Sequence, residues 1–175
     1  KLWQDVLGAP ADLWVAYTQR SFWQVYHVDE SAPFRETDYE PEALLNVRTR
    51  LSLLGLSVRF VQLGVNHQSN GQTRPLSRSW NRLVANVGAE RGPLSLLVKA
   101  WYRLPERAED DDNPAIERYL GYGELWAYYC WKRHRAAVMV RDNLEVGRNR
   151  GAVQLEWSFP LFGPTWPTPA QFGGY

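Results

Sequence analysis

The sequence predicts an all-β fold, an antiparallel transmembrane β-barrel, and two observations carry that expectation. Apolar and polar residues alternate in segments of about ten residues separated by turn-rich stretches, the pattern of strands that cross a bilayer with one face oily. Nine Trp and nine Tyr occur among the 175 residues, many near the ends of those segments. Aromatic girdles at two membrane interfaces explain both their number and their positions.

About eight strands are expected. The run 43–53 places Ala43, Leu45, Val47, Leu51 and Leu53 on one face, with Asn46, Arg48 and Arg50 on the other. Residues 58–69 set Val61, Leu63 and Val65 against Gln62, Gly64, Asn66 and Gln68. From 78 to 89, Leu83, Ala85 and Val87 oppose Arg78, Arg82 and Asn86, and from 94 to 102, Leu94, Leu96, Val98 and Ala100 oppose Ser95 and Lys99. The last clear segment puts Val153, Leu155, Trp157, Phe159 and Leu161 against Gln154, Glu156 and Ser158. Connections are expected at residues 29–41, 70–76, 105–114 and 142–151.

Period-two counting is symmetric under inversion, so a soluble small-ligand barrel with its oily face inward produces the same alternation. Bulky Arg and Glu on the polar face, and strands long for a soluble sandwich, favour a hydrated interior and an oily exterior. No stretch approaches the roughly 20 consecutive apolar residues of a spanning helix, which leaves strands as the means of crossing.

Charge excludes other classes. Twenty basic residues against 19 acidic ones leave a formal charge of +1, with no net field to attract nucleic acid. The single cysteine, Cys130, rules out an internal disulfide framework and a multi-cysteine zinc site. The acidic run 109–112 reads as a solvated loop, with cation binding as the alternative. No phosphate loop or dinucleotide motif is present.

One constellation carries chemistry. His67 and Ser69 lie two residues apart at the end of a strand, so both project from one face, and the register makes that the oily face. An imidazole near neutrality can take the proton of a hydroxyl and turn it into a nucleophile. A hairpin to the next strand sets Asn81, another oily-face position, beside His67, where an amide oxygen can hold the ring. The same residues also suit an ordinary hairpin near an interface. Polar groups on a lipid face are costly and tend to be functional.

Five segments extend the pattern: Tyr17-Thr18-Gln19, the stretch 31–41 beginning Ser31-Ala32-Pro33-Phe34, Asn66-His67-Gln68-Ser69-Asn70-Gly71, Ser77-Arg78-Ser79-Trp80-Asn81-Arg82, and Asp111-Asp112-Asn113-Pro114. In order and spacing, over about residues 13–161, they resemble outer-membrane phospholipase A. The resemblance implies a twelve-stranded barrel in the outer membrane of a Gram-negative bacterium. It implies a calcium-dependent hydrolase of acyl esters of phospholipids and lysophospholipids, active as a homodimer.

Carried over by motif, Ser69 resembles the nucleophile, His67 the general base and Asn81 the residue that orients it, with the Gly71 backbone N–H as an oxyanion donor. The calcium ligands would be the Gln72 carbonyl, the Ser77 hydroxyl and, from the partner subunit, Ser31. Asp112 matches a carboxylate of a second calcium site, and Gln19 a polar contact across the dimer interface. Two features depart from the family pattern: Arg74 stands where that second site has an acidic residue, and the loop 105–114 is longer. Residues 1–175 are expected to be a single barrel domain, incomplete at both ends, with Pro164, Pro167 and Pro169 making a poor strand. A catalytically silent barrel or pore of the same fold is the alternative.

Overall fold

The computed structural model describes residues 1–30 and 34–160. Eight strands form one antiparallel sheet in sequential order: β1 (Ala11–Phe22), β2 (Glu36–Leu53), β3 (Leu56–Ser69), β4 (Ser79–Arg91), β5 (Leu94–Arg103), β6 (Gly123–Trp131), β7 (His134–Asp142) and β8 (Gly151–Ser158). One helical turn, α1 (Glu117–Leu120), lies between β5 and β6. The expected strand number and the alternation are both found.

The connections sort by length onto the two ends of the sheet. Leu54 and Gly55 join β2 to β3 with φ of 53° and 77°, as a two-residue hairpin turn demands. Gly92-Pro93 and Lys132-Arg133 close the other short turns. The long connections, 23–35, 70–78, 104–122 and 143–150, all fall at the opposite end. His67, Ser69 and Asn81 sit at that end of β3 and β4.

Strand register settles which face is outside. One row of paired residues runs Val47, Val61, Val87, Val98, Leu125, Val140, Val153 from β2 to β8. The adjacent row on the other face runs Asp12, Asn46, Gln62, Asn86, Lys99, Glu124, Arg141 from β1 to β7. Leu63, Val65, Leu83, Leu125 and Leu155 are exposed, whereas Asn46, Asn66, Arg82, Asn86 and Glu90 are buried. The sheet therefore curls around its polar face, and the oily wall is the exterior.

That interior is bonded rather than merely polar, as buried amides and charges require. Gln62 donates to Asn46 at 3.1 Å and Asn86 donates to Gln62 at 3.0 Å, while Lys99 pairs with Glu124 at 3.3 Å. Trp80, almost fully buried, donates its indole N–H to Gln68 at 3.0 Å. The Arg82 guanidinium stacks on that ring at 4.1 Å and reaches Glu40 at 2.6 Å.

The connection expected over 29–41 falls instead at 23–35, because β1 ends at Phe22 and β2 begins at Glu36. Pro41 does not mark the start of the strand. It lies within β2, opposite Tyr17, and the β2–β3 ladder has a gap at Glu40 and Pro41 between the Tyr39–Ser69 and Glu42–Asn66 pairs. A proline without an N–H is accommodated where no ladder bond is asked of it.

Candidate active site

Register builds the site before any side chain is considered. Gln19 pairs with Tyr39, Tyr39 with Ser69 and Ser69 with Ser79, so one row crosses β1 to β4. Two residues along, Tyr17 pairs with Pro41 and His67 with Asn81. Both rows belong to the face that Leu63, Val65 and Leu83 continue, so His67, Ser69, Asn81 and Gln19 share the oily exterior.

His67 is exposed, and its Nδ1 lies 2.8 Å from Asn81 Oδ1. Directly opposed strand residues bring their side chains this close. Asn81 is held twice more: its Nδ2 donates to Glu106 Oε1 at 2.9 Å, and its carbonyl accepts the Leu104 N–H at 2.8 Å. Nothing in the sequence's alternation points to Glu106, which follows β5 in an irregular segment.

Ser69 Oγ accepts the Gly71 N–H at 3.1 Å. Among the described residues no hydrogen bond joins His67 to Ser69; such bonds are commonly long before substrate binds. Gly71 has φ of 68°, a conformation that a side chain strains. A Cβ there would also stand 3.1 Å from the Tyr39 ring. Glycine is thus required for the N–H to turn back toward Ser69.

The loop 70–78 is closed by Asn70, a residue the sequence singled out only as part of a motif. Buried, it accepts the N–H groups of Gln72 at 3.2 Å and Arg78 at 2.9 Å through Oδ1. Its Nδ2 donates to the Leu76 carbonyl at 2.9 Å and to Glu36 at 2.8 Å. Four bonds use the amide's capacity and fix both ends of the loop.

Asp112 lies beneath that loop. Ser77 Oγ donates to its Oδ2, Ser79 Oγ donates to the same oxygen at 3.3 Å, and Arg74 Nε donates to Oδ1 at 3.0 Å. The Ser77 hydroxyl first, and then Arg74, hold the Asp112 carboxyl below its ordinary value against partial desolvation. Its pKa is depressed, so the charge and the contacts it supports are present at neutral pH and are lost only in acid.

Oxygen donors in this loop suit a hard cation. Ser77 spends its proton on Asp112, which leaves its lone pairs free, and the Gln72 carbonyl adds a second neutral oxygen. Asp112, which matches a carboxylate of the second site, is paired with Arg74 at 3.0 Å. Among the described residues no group of three or more His, Cys, Asp and Glu is placed to hold a metal. Ser31, the expected ligand from the partner subunit, lies outside the described residues. Gln19 is exposed and accepts the Tyr17 hydroxyl at 3.3 Å.

A cavity of about 640 Å³ on the polar side is lined by Arg20, Glu40, Arg82, Lys99 and Glu124 among others. It does not reach His67 or Ser69. His67 and Ser69 sit instead on the open outer wall of the sheet.

The phospholipase A1 family matches the chain over residues 1–175. A putative phospholipase A1 of Neisseria meningitidis serogroup B is 40% identical over 179 residues, covering 100% of the chain and 46% of that protein. Phospholipase A1 of Escherichia coli K12 is 39% identical over 160 residues, 91% of the chain and 54% of that protein. The chain thus spans about half the length of these relatives. Among solved structures, outer membrane phospholipase A of Escherichia coli superposes with a TM-score of 0.82 at 38% identity, over 92% of the chain and 65% of that structure. An outer membrane phospholipase dimer of Salmonella typhi with bound calcium gives 0.81 at 38%, over 92% and 61%. An active-site asparagine-to-alanine form of the Escherichia coli protein gives 0.81 at 38% over the same shares.

Proposed function

The chain belongs to the phospholipase A1 family, and on that premise we propose that it carries the active site of a calcium-dependent phospholipase of the outer membrane. The observation that carries this reading is the 2.8 Å contact between His67 Nδ1 and Asn81 Oδ1, set on the lipid-facing wall two residues from Ser69. A passive pore has no use for that arrangement.

In this reading Ser69 Oγ attacks the acyl carbonyl of a phospholipid or lysophospholipid while His67 Nε2 takes its proton. The Gly71 N–H, already beside Ser69 Oγ, donates to the oxygen that gains charge. His67 then returns the proton to the departing alkoxide, leaving Ser69 acylated, and a water activated by His67 releases the fatty acid. Asn81 keeps His67 Nδ1 protonated throughout, the role an aspartate has in a Ser-His-Asp set. The active-site asparagine of the Escherichia coli relative supports that role.

Calcium held by the Ser77 hydroxyl and the Gln72 carbonyl supplies positive potential at the developing oxyanion. Two neutral oxygens are a partial shell, and Ser31 of the partner subunit is proposed to extend it in a homodimer. Gln19 shares a row with Ser69 across β1 to β3, so a partner seated on β1 would meet the site directly. The calcium-bound dimer among the relatives supports this assembly.

Labelling tests the nucleophile. The full-length protein in detergent with calcium, treated with an alkyl fluorophosphonate, is expected to carry one adduct, located on Ser69 by peptide mass spectrometry. The His67→Ala form should stay unlabelled. An adduct elsewhere, or equal labelling of both forms, contradicts the assignment.

A further inference from the structure

We propose that Glu106 is a positioning residue for this reaction, fixing the His67 tautomer through Asn81 and supplying the negative charge that an amide lacks. The proposal rests on the phospholipase reading, and its test separates the two.

Hydrogen-bond polarity fixes the orientation of Asn81. A carboxylate accepts hydrogen bonds and donates none. Glu106 Oε1 lies 2.9 Å from an amide terminus of Asn81, and that terminus must therefore be NH₂. The other terminus, 2.8 Å from His67 Nδ1, is then oxygen. An oxygen acceptor demands that Nδ1 carry the proton, which leaves Nε2 as the base. Asparagine alone could present either end to His67 and so permit either tautomer; the carboxylate behind it removes that freedom.

Backbone geometry delivers Glu106 to the same residue. Arg103 ends the β5 ladder opposite Arg82, Leu104 continues it by one bond to the Asn81 carbonyl, and Pro105 restricts the next φ. Glu106 is half-buried and, among the described residues, pairs with no cation, unlike its neighbours Arg103 with Asp111 and Arg107 with Asp110. Its charge is left to act on the amide. A Ser-His-Asp set stabilises the imidazolium with a carboxylate in direct contact. Here the carboxylate sits one amide away, and the hydrogen bond polarises Asn81 Oδ1 toward His67.

The experiment measures ester release from mixed micelles by the full-length protein with calcium, and ring nitrogen resonances of ¹⁵N-histidine protein at neutral pH. A His67→Gln control identifies the His67 signal. Glu106→Ala is expected to lower kcat about ten- to hundred-fold, by analogy with the loss of a partner that orients a metal-bound histidine, with KM unchanged. Its His67 should shift from Nδ1-protonated toward mixed tautomers. In an Asn81→Ala background Glu106→Ala should cost nothing further.

A sign reversal is the sharpest outcome. Asn81→Asp alone sets two carboxylates at hydrogen-bond distance, and adding Glu106→Gln should raise activity over that single variant, although Glu106→Gln lowers it when Asn81 is intact. An unchanged kcat and an unchanged tautomer in Glu106→Ala would overturn the proposal. An inactive but folded parent protein would overturn the phospholipase reading instead, and the resonances would still decide whether Glu106 sets the tautomer.

Discussion

Ester hydrolysis by the Ser69→Ala form is expected to fall by on the order of 10⁴- to 10⁶-fold, with the fold intact. Removing the serine or the histidine of a triad costs nearly as much as removing the whole set, because the members act as one unit. The loss corresponds to about 5–8 kcal/mol of transition-state stabilisation. Little stability is at risk. Ser69 is half-buried at a strand end, and its hydroxyl accepts a single bond from Gly71 at 3.1 Å. Rates of fatty-acid release at saturating micellar substrate check it. A Ser69→Ala form within ten-fold of the parent would remove Ser69 as the nucleophile. Residual hydrolysis well above the uncatalysed rate is compatible, since oxyanion donors and binding persist.

Arg82→Ala is expected to be the most damaging change to the fold, lowering stability by about 3–5 kcal/mol, the cost of breaking a buried ion pair from one side. Arg82 is buried, with its guanidinium between the Trp80 ring at 4.1 Å and Glu40 at 2.6 Å, and it also donates to Asn66. Alanine would leave Glu40 without its cation and strip one face of Trp80, on the inner side of the strands that carry His67 and Asn81. Arg82→Lys keeps the charge but loses the planar stack and the second donor, so an intermediate loss is expected. Denaturant midpoints in detergent, followed by tryptophan fluorescence, measure both. A midpoint for Arg82→Ala equal to the parent's would show that the polar interior does not hold the sheet together.

The shared face of His67, Ser69 and Asn81 was legible in the sequence because the physics of a strand is periodic. Two-residue spacing put His67 and Ser69 on one face, the Leu63–Val65 alternation identified that face as oily, and a hairpin brought Asn81 opposite, all of which the β3–β4 register reproduces. Alternation alone is the same in either sense, so the oily exterior was read from Arg and Glu on the polar face and from strand length, and burial of Asn46, Asn66 and Asn86 agrees with it. Pro41 hid the start of β2. In β6, aromatic residues on both faces, Trp126 and Tyr128 inward of Leu125 and Tyr129, blur the alternation that β3 and β4 display plainly.

Residues that hold the site from loops were the least visible. Asn70 and Glu106 have no periodic partner, and their roles come from side-chain bonds across six to 34 residues. Arg74 was visible as a departure from the family pattern, and in the structure it pairs with Asp112 at 3.0 Å.

Fatty-acid release from mixed micelles by the full-length protein, followed through a cycle of calcium, chelator and restored calcium, tests the central claim most directly. Rapid release is expected with calcium, with a fall to the Ser69→Ala level on chelation and recovery when calcium returns. Release that is indifferent to calcium, or that never exceeds the Ser69→Ala level, would contradict it.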